Sequence, residues 1–114
     1  MEFDEVVKER VSVRSFSDSK PNWKEVMYAV DSALQGPFAG NHEHLKFLIV
    51  GDKNIIREIS NLADQLWISE SSLIVLVCSD DSHLEEMYGE RGRVYSRQQA
   101  GASIMTFLFK LVDV

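Results

Sequence analysis

The residues best suited to chemistry in this chain are Arg10, Ser12 and Arg14. In an extended segment, residues two apart point to the same side, so both guanidiniums and the hydroxyl would share a face. Arginine offers fork-shaped donors and serine a short directional one, a combination that suits a phosphate group. The same pattern also fits a solvated edge strand whose arginines pair with nearby carboxylates. A second group is Gly36-Pro37-Phe38-Ala39-Gly40-Asn41. Its glycines permit close backbone approach, and asparagine both donates and accepts, so a planar heterocycle could be held there. An ordinary helix cap and turn would use the same residues.

Other clusters carry less. His42-Glu43-His44 places two histidines two apart, whereas a helical zinc motif needs them four apart. The remaining histidine is His83, so no metal site is expected. Glu85, Glu86 and Glu90 are too dispersed for a carboxylate pair, and residues 85–95 read as a mobile loop or as a lid. Cys78 sits in an apolar run and reads as a packed core residue. Gln98 and Gln99 open the last helix, where either solvent or a ligand could be their partner. No side chain stands out as a catalytic acid, base or nucleophile.

The elements that must position these residues follow from periodicity. Residues 1–9 read as a short helix through Phe3, Val6 and Val7, and residues 10–16 as extended chain. Asn22, with Glu25 three residues on, marks the start of a second helix that Gly36-Pro37 stops. Residues 45–50 and 73–78 are strands, the second apolar enough to be buried on both faces. A helix over 53–66 separates them, and a long helix runs from Val94 onward. Its small residues Ala100, Gly101, Ala102 and Ser103 would permit close helix approach.

The 114 residues fit one domain, 1–114, and a net charge of −6 argues against a nucleic-acid or polybasic membrane role. A single cysteine rules out an internal disulfide. No apolar run approaches a membrane span and the N-terminus lacks a signal-peptide pattern, so a cytoplasmic protein is expected.

Taken in order, the clusters resemble the nitroreductase family of flavoenzymes. The family's Arg-x-Ser-x-Arg-x-Phe is matched by Arg10, Ser12, Arg14 and Phe16. Its Ala-Pro-Ser-Ala-Gly-Asn is matched by Gly36-Pro37-Phe38-Ala39-Gly40-Asn41, followed by Glu43-His44-Leu45 and Phe47. Residues 67–80 are similar to the family's central-strand region. Tyr88-Gly89-Glu90-Arg91-Gly92 resembles the run before its core helix. Phe38 replaces a small hydroxyl residue and Leu45 an aromatic one.

The resemblance implies an α+β fold, three-layer α/β/α around a mainly antiparallel sheet. That sheet would be incomplete here, because the sequence ends before the family's Gly-Leu-Gly turn and so resembles a C-terminally truncated member. It implies a homodimer with FMN at the interface. Arg10, Ser12 and Arg14 would hold the phosphate side, and Pro37, Phe38, Ala39 and Asn41 of the other subunit the ring or ribityl chain. The activity implied is two-step hydride transfer from NAD(P)H through FMN to a nitroaromatic, quinone or similar small acceptor. No side-chain acid or base is needed from this segment. Two other readings stay open: a non-catalytic interaction domain on the same scaffold, and a reductive activity on a flavin or halogenated aromatic.

Overall fold

The computed structural model describes residues 1–114, with every side chain except that of Asn41. Helix α1 (Phe3–Glu9) is followed by an irregular segment and then α2 (Trp23–Ala33). Asn22 caps α2 as its sequence position predicts, its Oδ1 accepting from the Lys24 N–H at 3.0 Å. The chain then turns through Gly36, at φ +91°, and a single 3-10 turn, Ala39–Asn41.

Strand β1 (Leu45–Val50) pairs antiparallel with β2 (Ile74–Ser79), Leu45 opposite Ser79 and Val50 opposite Ile74. Between them lies α3 (Lys53–Ala63), capped by Asp52, whose Oδ1 accepts from Asn54 N–H at 2.8 Å and Ile55 N–H at 3.2 Å. This helix ends three residues before the predicted Leu66. Asp64 adopts the left-handed conformation (φ 53°), and a second 3-10 turn, Leu66–Glu70, follows.

The last two helices are α4 (Ser82–Tyr88) and α5 (Arg91–Asp113). Residues 85–95, read from sequence as a loop or lid, are therefore helical apart from the 89–90 junction. Gly89, at φ +62°, reverses the chain there, Leu84 is fully buried, and Arg93 Nε donates to Glu85 Oε1 at 2.6 Å across the junction.

The core lies between α2, α5 and the sheet. Val26, Ala29, Val30, Ala33 and Phe107 are buried together against Phe47, Val75 and Leu108. Phe47 and Phe107 meet with ring centroids 5.9 Å apart. Each such large side chain contributes about 1.5–3 kcal/mol on burial. The architecture is the expected α+β, with a two-stranded antiparallel sheet that is small for the helices around it. One expectation fails here: Cys78 is exposed rather than packed, as is Lys46 beside it on the sheet.

Candidate functional site

Arg10, Ser12 and Arg14 lie in the irregular segment between α1 and α2. Arg10 itself caps α1 in an extended conformation, φ −65° and ψ 117°, and that turns the chain out of the helix. The segment from Arg10 to Arg14 lines a groove of about 510 Å³, together with Phe16, Trp67, Leu108, Leu111 and Val112. The Arg14 guanidinium lies 5.9 Å from the Trp67 ring centroid, and Phe16 packs against the same ring at 6.0 Å. Neither Arg10 nor Arg14 forms an ion pair with a carboxylate among the described residues. The alternative of a paired edge strand is thus not what this segment forms. Two uncommitted guanidiniums and an exposed hydroxyl over an apolar, tryptophan-bearing floor suit a phosphate attached to a flat apolar group.

The second predicted cluster lies in the turn between α2 and β1. Pro37 is exposed, Phe38 and Ala39 are half-buried, and the Asn41 side chain lies outside the described residues. Gly40 has φ +62°, a conformation that favours glycine, and a Cβ there would meet only the flexible end of the Met87 side chain of α4, 2.8 Å from Cε. The turn lies beside the N-terminal half of α5 through His44 and Gln99. The Arg10–Arg14 groove lies beside Leu108 and Leu111, near the other end. Gln99 and Leu111 are separated by roughly 18 Å of helix. One chain therefore does not bring its two predicted cofactor-contacting groups together.

Sequence reasoning missed a polar chain beneath this turn, in which His44 and Ser96 are buried. His44 is 3% exposed; its Nδ1 lies 2.8 Å from Ser79 Oγ, and its Nε2–H donates to Gln99 Oε1 at 2.9 Å. Ser79 Oγ donates to Asp81 Oδ1 at 2.6 Å, and Ser96 Oγ donates to the same oxygen. The hydroxyls of Ser79 and Ser96 hold the Asp81 carboxyl below its ordinary value of 3.8. No local spacing marks these residues. The pairing of Leu45 with Ser79, seen only in the structure, is what makes His44 and Ser79 neighbours. His42 stacks on His83 with centroids 4.1 Å apart, and no group of three or more metal-ligating side chains occurs among the described residues. Among the described residues, no helix is long and apolar enough to cross a membrane.

Comparison with known proteins places this geometry. The sequence model described as "Nitroreductase family" matches residues 7–81, which include both predicted clusters and β1. The chain belongs to the nitroreductase family. No curated protein matches it. Among solved structures, NfrA2 of B. megaterium superposes with a TM-score of 0.83 at 19% identity, over 95% of this chain and 49% of that one. A nitroreductase family protein from Clostridium novyi NT gives 0.85 at 20% identity, over 99% and 65%. A BluB-like flavoprotein from Clostridium difficile 630 gives 0.80 at 16% identity, over 96% and 69%. These likenesses establish a shared fold. The chain spans about half the length of NfrA2.

Proposed function

We propose that this chain serves a flavin-dependent oxidoreductase that passes electrons from NAD(P)H to a small organic acceptor, with FMN as the bound cofactor. One observation carries the reading: in a nitroreductase-family chain, Arg10 and Arg14 flank Ser12 in a groove with no carboxylate to neutralise them. Arg10, Ser12 and Arg14 would hold the phosphate. Trp67 and Phe16 would exclude water from its apolar neighbour. Pro37, Phe38, Ala39 and Asn41 would supply backbone and side-chain groups to the ring or ribityl chain. Because α5 keeps the two groups apart, a second copy is the natural source of the second group, which supports a homodimer with shared sites. FMN, when bound, supplies the hydride-accepting ring; the protein's part is to orient it and tune it. A nitroaromatic or quinone fits as acceptor, and a cytoplasmic setting fits the supply of reduced nicotinamide.

The test is titration of the purified chain with FMN, followed by NADH and NADPH oxidation with a quinone acceptor. Flavin fluorescence quenched at micromolar protein, with FMN-dependent turnover, is the expected result. No quenching at micromolar excess would overturn the reading. A non-catalytic interaction role has one observation in its favour, the exposed Leu48 and Ile49 of β1. FMN-dependent turnover by this chain alone would exclude it.

A further inference from the structure

The turn of residues 36–41 has no partner strand, yet it is the part of the chain proposed above to touch the flavin ring. α4 approaches it at Gly40 through Met87, and His44 holds its Phe38. The Phe38 ring stands edge-on to the His44 imidazole, with centroids 5.7 Å apart and planes at 89°. This is the favoured geometry for an aromatic pair. The imidazole in turn is fixed at both nitrogens, by Ser79 at the end of β2 and by Gln99 on α5. Ser79 donates in turn to Asp81, which also accepts from Ser96. A ring bonded at opposite nitrogens to two different elements cannot rotate about its χ2 without breaking a bond. Burying such a ring is unfavourable unless its nitrogens find polar partners, and each lies within hydrogen-bond distance of one. A leucine of similar volume would fill the same space but would leave Ser79 and Gln99 without His44 and give Phe38 no defined edge.

We propose that His44 is a positioning residue. Held by Ser79 and Gln99, it fixes the Phe38 ring and with it the turn that presents Ala39 and its backbone to the cofactor. The ligand in this inference rests on the flavin reading; the ordering of the turn does not.

The experiment compares wild type with His44→Phe and Gln99→Leu. The first keeps aromatic bulk and loses both bonds. The second releases only Nε2 and serves if the first does not fold. Three quantities are read: backbone amide NMR signals of Ala39 and Gly40 in the flavin-free protein, dissociation constants for FMN and for riboflavin, and the unfolding midpoint. The expected result is shifted or broadened Ala39 and Gly40 signals and roughly two- to tenfold weaker binding of both flavins. The preference for FMN over riboflavin, which Arg10 and Arg14 set, stays at the wild-type level. A general loosening of the fold would instead erode that preference together with the midpoint, and this result would overturn the proposal. Unchanged turn signals in both variants would also overturn it. If wild type binds neither flavin while the turn signals still move, the positioning role stands and the flavin reading falls.

Discussion

The backbone of Gly92, at the start of α5, lies directly against the backbone of Leu84 in α4. A Cβ at residue 92 would lie 2.6 Å from the Glu85 nitrogen and closer still to the Leu84 carbonyl. The obstruction is main chain, so no rotamer change relieves it. The two helices must separate, and fully buried Leu84 must lose contacts. Gly92→Ala is therefore expected to destabilise the chain by about 1–3 kcal/mol, despite the better helix propensity of alanine. A urea-denaturation midpoint decides it. Gly101→Ala is the control. Nothing lies within 4 Å of a Cβ there, so that variant should be neutral or slightly more stable.

Ser103 is 1% exposed, and its Oγ has no hydrogen-bond partner among the described residues. It sits on the helix that packs against Ala29 and Ala33 of α2 in the core. An unsatisfied buried hydroxyl is costly, and its removal leaves only a small void. Ser103→Ala should raise stability by about 1 kcal/mol. A lower thermal midpoint than wild type would contradict this.

These two residues show how far the sequence is legible. β1 is readable to the residue, because an apolar β-rich run ends at Gly51-Asp52. The cap at Asn22 follows from side-chain chemistry next to a periodic stretch. Of the four small residues read as permitting close helix approach, Ser103 is buried and Gly101 faces open space, whereas Gly92, which reads as part of a loop, permits the crossing of α4 and α5. Sequence shows that a side chain is missing, and only packing shows what would have met it. Arg10, Ser12 and Arg14 are legible as a cluster because they are sequence neighbours. The chain from Asp81 to Gln99 through His44 is invisible because strand pairing and helix direction assemble it from distant positions.

The half-buried Asp81 carboxylate accepts from Ser79 and Ser96, and both hydroxyls lower its pKa from 3.8. The sign follows. An unfolded carboxyl takes up its proton at higher pH than the folded one does. Its stabilisation is complete above 3.8 and is lost as pH falls through the depressed folded value. Asp81→Asn removes this titration and weakens both hydroxyl bonds. The gap in stability between wild type and variant should be widest near neutrality and shrink on moving from about pH 6 to about pH 3. Urea midpoints at several pH values measure it, and a constant gap would show that the carboxylate is not the source.

Arg14 and Trp67 tie the last prediction to the groove. Arg10→Ala and Arg14→Ala should each weaken FMN binding by roughly ten- to a hundredfold, the range for a lost hydrogen bond between charged groups. Riboflavin has no phosphate, so its binding should change far less. The flavin should also quench the emission of Trp67, which lines the groove, and leave that of Trp23, at the exposed start of α2, nearly unchanged. Trp23→Phe should therefore retain the quenching and Trp67→Phe abolish it. If both arginine variants bound FMN and riboflavin like wild type, the phosphate would be held elsewhere. Arg10 and Arg14 would then be solvated side chains whose shared register serves no ligand.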